Sequence, residues 1–173
     1  MAISMSSASL PIFRTMLGNL SHLLEKGQAH AQARKFDPQV LVSYRLAPDM
    51  LPLSRQVQIA CDAAKNGVAR ISGVEAPRFE DNETTFEELR ARIAKTLAWL
   101  DTVPPAKLDG TEDKDITFPV GRESTRTMKA EAYLKHWAMA NFHFHITMAY
   151  AILRNNGVDL GKADYLAGAA ARA

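Results

Sequence analysis

Apolar side chains recur at three- and four-residue steps in four long segments of the chain, and this spacing is typical of amphipathic helices. Each segment presents one apolar stripe. Helices of this kind bury their stripes by packing against one another around a common core. The sequence therefore predicts an all-α four-helix bundle, with helices over about residues 5–34, 52–72, 84–103 and 133–156.

Two connections depart from the short loops of a simple bundle. Three prolines break the helical periodicity of residues 36–53 and predict a short helix followed by a long crossover. A crossover of this length indicates that helices consecutive in the chain need not be neighbours in space. Residues 114–127 instead alternate apolar and polar side chains around a Gly-Arg turn, which predicts a small β-hairpin before the last helix.

The chain of 173 residues fits one domain. We divide it into a single helical-bundle domain, residues 1–168, and a flexible C-terminal tail, residues 169–173. Small residues dominate the segment after Gly157 and predict a frayed end rather than a further helix.

The predicted last helix carries two polar residues within its apolar stripe. Asn141 and His145 are four positions apart and therefore lie on the same helix face. A buried His or Asn must find hydrogen-bond partners or cost free energy, which makes this pair the best site candidate in the sequence. The rest of the stripe is apolar and comprises Leu134, Trp137, Ala138, Phe144, Met148, Ala149 and Ile152.

Two chemical interpretations of this pair remain open. In the first, His145 is a general base in a small polar pocket that it forms with Asn141, faced by Gln58 or Asp62 from the second helix. Asp49 of the crossover overhangs the same pocket in this interpretation. In the second, Asn141 and His145 form a satisfied buried network that only fixes the register of the helices.

Charge and composition argue against several function classes. The net charge is +2, and Lys and Arg are scattered, so the sequence has no basic patch for nucleic acid or for an anionic membrane. No apolar run approaches the ~20 residues that span a bilayer, and the N-terminus lacks the pattern of a secretion signal. We therefore expect a cytoplasmic protein that binds neither nucleic acid nor membrane. The single cysteine, Cys61, is interpreted as a small buried hydrophobe.

The other histidines do not complete a metal site in this pattern. His143 and His145 are two apart and point roughly 200° away from each other on a helix, so they cannot ligate one ion. His136 and His143 share a face outside the apolar stripe, and we interpret both as surface or interface residues. His22 and His30 lie among polar neighbours and are predicted to be solvated.

Four stretches carry a resemblance to a known family: MLGNLSHLLEKGQAHAQARKF, RLAPDMLPLSRQVQIACDAAK, TTFEELRARIAKTLAWL and NFHFHITMAYAILRNNGVDLGKADYL. The chain resembles the bacterial domain-of-unknown-function family 1993, within the DinB-like, YfiT-like four-helix-bundle superfamily. The resemblance covers nearly the whole chain. It implies a four-helix bundle with a long crossover after the first helix and a β-hairpin before the last. It also implies frequent homodimers and a pocket at one end.

Members of the wider superfamily are similar to metal-dependent hydrolases or to thiol S-transferases. Their metal is held by one His on the second helix and a His-x-x-x-His pair on the last. In this sequence the pair maps to Asn141 and His145, and the second-helix position falls near Gln58, so amides replace two of three ligands. We therefore expect no cofactor. His145 is the one retained ligand for Zn²⁺ or Ni²⁺ if a divalent metal binds.

Three functional hypotheses follow from the residues and the resemblance. The first is a small-molecule-binding pocket protein, or an enzyme, that has lost the three-histidine metal site. The second is a metal-dependent hydrolase or thiol S-transferase of the DinB/YfiT type. The third is a non-catalytic structural homodimer. We favour the first because the superfamily architecture keeps a cavity beside the last helix. The sequence specifies neither substrate nor reaction, and it leaves open whether the protein is an enzyme.

Overall fold

The computed structural model describes residues 3–121 and 123–167, and it confirms the helical bundle. In chain order the helices are α1 (Leu10–Arg34), α2 (Gln39–Val42), α3 (Leu53–Ser72), α4 (Phe86–Thr102), α5 (Ala130–Tyr133), α6 (Met139–Asn155) and α7 (Lys162–Ala167). A π-helical turn, Leu134–Ala138, joins α5 to α6. The strands are β1 (Asp115–Val120) and β2 (Ser124–Lys129).

Helices α1 and α3 lie diagonally across the bundle. Helix α3 packs along α6 on one side and α4 on the other, whereas α1 packs against α4 and α6 and touches α3 least. The connection of residues 35–52 therefore joins diagonal helices, which confirms the long crossover. Within it, buried Leu41 and Val42 attach α2 to the core. The same arrangement makes α3 and α6 neighbours although more than sixty residues separate them.

The helix ends follow the predicted chemistry. The Thr85 hydroxyl accepts the Glu88 backbone N–H at 3.2 Å, while the Glu88 carboxylate accepts the Thr85 N–H at 3.0 Å, so a capping box opens α4. Helix α3 closes at Gly73, whose φ of 73° is readily adopted by glycine. Helix α1 begins at Leu10, later than predicted, because residues before it form a turn. The Asp109 carboxylate anchors this turn by accepting the Ser6 N–H at 2.8 Å.

Small residues allow α3 and the π-helical turn to approach closely. A Cβ atom added at Gly67 would lie 3.2 Å from the Ala138 Cβ. The predicted hairpin is confirmed as an antiparallel pair of strands, with Ile116 opposite Met128. Its Phe118 ring lies 4.8 Å from the Tyr133 ring and 4.9 Å from the Trp137 ring. The hairpin therefore packs on the helix that follows it.

The predicted stripe of α6 is wrong at Phe144, whose side chain is 55% exposed. Phe142 and Ile146 occupy the core in its place, beside buried His145. Apolar residues surround most of α6, so periodicity alone does not decide which row faces inward. Asn141 lies at the edge of the core and is half-buried.

The C-terminal segment corrects two predictions. Residues 162–167 form α7 rather than a frayed end, and the helix packs against α1. His22, predicted to be solvated, is buried and lies 3.3 Å from the Asp164 carboxylate of α7. The predicted tail, residues 169–173, and the last residue of the predicted domain lie outside the described residues. Across residues 3–121 and 123–167, no helix combines the length and apolar character needed to cross a membrane.

Candidate functional site

His145 is buried in α6 and is held by one amide of α3. Its Nδ1 lies 2.7 Å from the Gln56 Oε1, and Gln56 Nε2 in turn donates to the Leu51 carbonyl at 3.1 Å. Because an amide oxygen only accepts, the proton must be on Nδ1, which leaves the lone pair on Nε2. Burial lowers the pKa of His145 to about 4, so the ring is neutral at neutral pH.

The α3 residue that meets His145 is Gln56, which corrects the expectation that Gln58 or Asp62 would face it. Residues 56 and 58 are two apart and therefore point about 200° away from each other around the helix. Gln58 instead donates to Glu83 at 2.8 Å and accepts from Arg55 at 2.6 Å. The sequence did indicate that Gln56 faces the core, since position 56 follows buried Leu53 by three residues and so lies on the same helix face.

A cluster of ion pairs surrounds the buried side chain of Arg92 beside α3. Arg92 of α4 has 1% of its side chain exposed, and its Nη atoms lie 3.0, 3.0 and 3.1 Å from carboxylate oxygens of Glu83, Asp81 and Asp62. We call these four residues the Arg92 cluster. Burial opposes the charged guanidinium, but the hydrogen bond to Glu83 and the charge of Asp62 raise the pKa of Arg92 above its usual value. Sequence reasoning missed Arg92, because two of its three partners come from a loop.

A cavity of ≈ 180 Å³ lies between α3, the hairpin and the continuous helical segment formed by α5, the π-helical turn and α6. We call it the α3–α6 cavity. Asp62 and Asn141, both predicted to line a pocket, lie in its wall. Asn66 and Arg70 extend the polar face of α3, since positions 62, 66 and 70 recur every four residues. The full lining comprises Ile59, Asp62, Ala63, Asn66, Arg70, Pro119, Tyr133, Trp137, Ala138 and Asn141.

A shallower hollow of ≈ 300 Å³ adjoins this cavity on the outer face of α6. Its lining residues are His136, Trp137, Ala140, Asn141 and Phe144. Trp137 and Asn141 line both spaces, so they form the boundary between them. The paired spaces offer an apolar wall at Trp137 and an amide at Asn141.

The remaining predicted site residues lie elsewhere. His145 is not among the lining residues of the cavity or the hollow. Gln58 donates a hydrogen bond to Glu83, a member of the Arg92 cluster. Asp49 is exposed in the crossover. The structure therefore brings together Asp62 and Asn141 from the predicted set.

Cys61 is fully buried, as the sequence predicted. Burial raises the pKa of its thiol to about 12, against smaller lowering effects from Thr96 and Arg92. A thiol held in this way is almost wholly protonated at neutral pH and is a poor nucleophile.

The residues around His145 do not offer the three imidazoles of the metal site that the resemblance implies. His145 is the one imidazole there, and its Nδ1 is engaged with Gln56. The other two positions that the resemblance implies, Gln58 and Asn141, carry amides, whose carbonyl oxygens suit Mg²⁺ or Ca²⁺ better than Zn²⁺ or Ni²⁺. Gln58 moreover donates to Glu83 and points away from His145, so the two could not share an ion. Within residues 3–121 and 123–167, no three His, Cys, Asp or Glu side chains are grouped to hold an ion.

Comparison with known proteins gives a family and a fold. The model of one family, described as a domain of unknown function (DUF1993), matches residues 5–166. The chain is similar to a crystal structure of a DinB family member protein from Shewanella denitrificans, with 42% identity and a TM-score of 0.85. The similarity covers 93% of this chain and 90% of that one. No functionally curated protein matches the chain.

Proposed function

The chain belongs to the DUF1993 family, and on that premise we propose that it binds a small molecule in the α3–α6 cavity without the superfamily's three-histidine metal site. The observation that carries this proposal is the meeting of Asp62, Asn66, Arg70 and Asn141 around one cavity with an apolar wall at Trp137. Small-molecule sites combine an apolar surface with a few convergent polar groups in this way. Solvent-facing hydrogen-bond groups on both walls supply the orientation that a ligand needs.

Other polar regions support binding less well. The hollow of ≈ 260 Å³ outside Arg92 is lined mostly by charged and polar side chains. Arg92 already pairs with three carboxylates, so a ligand there would have to displace buried ion pairs. His145 keeps its place as a catalytic candidate from the sequence, but its low pKa makes it a weak base at neutral pH. The proposal therefore assigns binding and assigns no reaction.

Filling the cavity tests this proposal. Ala63 lies in the α3 wall and is half-buried, so Ala63→Leu would place three extra carbon atoms in the cavity. Ala98→Leu, at an exposed position of α4, is the matched control. A panel of small metabolites is assayed by thermal shift, since a ligand at about 100 times its Kd stabilises a protein by about 2.7 kcal/mol.

The expected result is a compound that raises the Tm of wild type and of Ala98→Leu but not of Ala63→Leu. A compound that stabilises all three proteins equally would place its site outside the α3–α6 cavity and contradict the proposal.

Metal analysis separates this proposal from hydrolase or S-transferase chemistry of the DinB/YfiT type. Untagged protein is assayed for metal by mass spectrometry, and Zn²⁺ and Ni²⁺ are titrated into wild type and His145→Phe. We expect neither ion to bind stoichiometrically, because amides occupy two of the three ligand positions. Stoichiometric metal that is lost in His145→Phe would restore the metal-dependent alternative.

The structural homodimer remains the second candidate function. The observation that favours it is the 55% exposure of Phe144, a large apolar side chain on the outer face of α6. Analytical ultracentrifugation of wild type and Phe144→Ser decides this point. A dimer that dissociates in the variant, together with an empty ligand screen, would favour the homodimer over the binding protein.

A further inference from the structure

Arg70 and Tyr133 meet in the wall of the α3–α6 cavity. Arg70 Nη1 donates a hydrogen bond to the Tyr133 hydroxyl at 2.9 Å. Tyr133 is 1% exposed, and a hydroxyl that accepts from Arg70 still has its own proton to donate. Within the part of the chain that the structure describes, no acceptor takes that proton. The cavity therefore contains a nearly buried O–H donor beside a guanidinium.

The cavity wall contains two charged groups, and only the negative one, Asp62, is paired with an opposite charge. The Asp62 Oδ1 lies 3.1 Å from Arg92 Nη2 and 3.3 Å from Lys65 Nζ, so its negative charge is already paired. Arg70 has no carboxylate within 4.0 Å among residues 3–121 and 123–167. It lies two residues before the end of α3, about 12 Å from Asp62 along the helix axis. The uncompensated charge of the cavity is thus positive.

Lys114 strengthens this positive charge. Its ammonium group donates to the Ile71 carbonyl at 3.1 Å and to the Arg70 carbonyl at 3.3 Å, at the C-terminal end of α3. The lysine compensates the negative end of the helix dipole, which would otherwise weaken the attraction of an anion to this end.

We propose that the Arg70 end of the α3–α6 cavity binds the carboxylate of a small organic acid whose planar apolar body packs against Trp137. This inference rests on the proposed function and names the chemical class of its ligand. The carboxylate accepts hydrogen bonds from the Arg70 guanidinium and from the Tyr133 hydroxyl, and charge-assisted bonds of this kind are the strong ones. The amides of Asn66 and Asn141 supply further donors along the wall.

The size of the cavity limits the ligand. A volume of ≈ 180 Å³ holds about six water molecules at the density of the liquid. That room suits a carboxylate with one ring or a short chain. The adjoining hollow of ≈ 300 Å³ continues past Trp137 to Phe144 and admits a longer apolar end. Because a ring can stack on the indole of Trp137, the resulting class is the arylcarboxylic and arylacetic acids.

Titration calorimetry with benzoate and phenylacetate tests the inference, and the uncharged benzamide is the matched ligand. We expect both acids to bind wild type saturably at millimolar concentration and benzamide to bind at least tenfold more weakly. Raising the salt concentration should weaken the binding of the acids and leave that of benzamide unchanged, because salt screens the attraction between charges.

Three variants locate the interaction. Arg70→Met keeps the aliphatic stem, removes the charge and should weaken phenylacetate binding about tenfold or more, since hydrogen bonds to charged groups are the stronger class. Tyr133→Phe keeps the ring and should weaken binding about fivefold. Arg154→Met removes the same charge from an exposed position of α6 and should leave the affinity unchanged.

Failure of this inference can be distinguished from failure of the proposed function. Benzamide binding as tight as benzoate, abolished by Ala63→Leu and insensitive to Arg70→Met, would overturn the carboxylate subsite and retain the cavity as the binding site. Acid binding that survives Ala63→Leu would contradict both. No saturable binding of either acid would overturn the inference. If Arg70→Met does not fold, two other measurements test the carboxylate subsite: the salt dependence of acid binding to wild type and the affinity of Tyr133→Phe for phenylacetate. Acid binding that is insensitive to salt and unchanged in Tyr133→Phe would overturn the inference.

Discussion

At the scale of single residues, the bundle holds two buried ionisable side chains, Arg92 and His145, in different charge states. Arg92 is surrounded by three carboxylates and stays charged. His145 has one neutral amide partner, Gln56, and burial lowers its pKa to about 4. The difference follows from what each residue contacts, since burial disfavours charge unless a counter-charge compensates it.

His145 should make stability depend on pH. Its folded-state pKa of about 4 lies below the usual 6.5, so the unfolded chain binds the proton first as the pH falls. The stabilising effect of neutral His145 is therefore complete above about pH 6.5 and is lost as the pH falls towards 4. The shift corresponds to about 3 kcal/mol over that range. Urea unfolding at a series of pH values measures it.

His145→Gln should flatten this pH dependence, because glutamine does not titrate and retains a hydrogen-bonding amide near Gln56. A smaller slope should remain from His143, whose pKa burial also lowers. His136→Gln, at an exposed position, is the control and should keep the wild-type slope. A His145→Gln protein with the full wild-type slope would show that another group is responsible.

Arg92→Met should lower the free energy of unfolding by about 3 kcal/mol, because it leaves Glu83, whose side chain is 11% exposed, without its charged partner. Arg55→Met is the control. Arg55 is 38% exposed and pairs with equally exposed Asp81, so its removal should cost less than about 1 kcal/mol. Equal losses of unfolding free energy in the two variants, measured by urea unfolding, would mean that the burial of Arg92 does not increase the cost of removing its ion pairs.

Single residues could be predicted from the sequence only where local periodicity decides their environment. The burial of His145 and Cys61 follows from their positions in apolar stripes. The Arg92 cluster does not, because Asp81 and Glu83 reach Arg92 from a loop that has no periodicity. The partner of His145 was predicted two positions too late in α3, as Gln58 instead of Gln56.

At the scale of elements, α7 is docked by side chains of α1. Asn19 Nδ2 donates to the Tyr165 carbonyl at 2.9 Å, and Lys26 Nζ lies 2.9 Å from the Asp164 carboxylate. The backbone N–H of Gly161, with further contributions from Lys26 and His22, lowers the pKa of Asp164 to about 2. These contacts hold a six-residue helix that would not be stable alone.

Asp164→Asn should loosen α7 without unfolding the bundle. The variant loses the charge that pairs with Lys26, so amide hydrogen exchange in residues 162–167 should accelerate, while global stability changes by less than about 1 kcal/mol. In wild type the stabilisation that the Asp164 charge gives to docked α7 is present above about pH 4. It is lost as the pH falls towards 2, because the folded-state pKa of Asp164 is depressed.

Asp159→Asn removes the same charge from an exposed position before α7 and serves as the control. Unchanged exchange in residues 162–167 of Asp164→Asn would contradict the docking role of Asp164.

Elements were predictable where their signals are local. The capping box of α4, the glycine that ends α3 and the alternation of the hairpin all act within a few residues. Helix α7 escaped prediction because it is only six residues long and its stability comes from α1, more than a hundred residues earlier.

At the scale of the whole molecule, the diagonal placement of α1 and α3 brings α3 against α6 and creates the cavity between them. The long crossover predicted from three prolines makes this topology feasible. The bundle and its connections were therefore accessible to sequence reasoning. The sequence predicted a pocket centred on His145 and Asn141, whereas the cavity is lined by Asn141 and Asp62 but not by His145. The difference arises because the cavity walls depend on how α3, the hairpin and α6 pack together.

The central claim is that a small acid binds beside Trp137 in the α3–α6 cavity. The chain has two tryptophans, so ¹⁵N-labelled protein gives two indole N–H signals, which Trp99→Phe assigns. Trp99 is a built-in control, because its indole donates to the Glu75 carbonyl and does not line the cavity. Phenylacetate is titrated into wild type and into Ala63→Leu.

We predict that the Trp137 signal of wild type moves saturably while the Trp99 signal stays in place, and that neither moves in Ala63→Leu. A Trp137 signal that remains fixed at saturating phenylacetate, or that moves equally in Ala63→Leu, would contradict the claim.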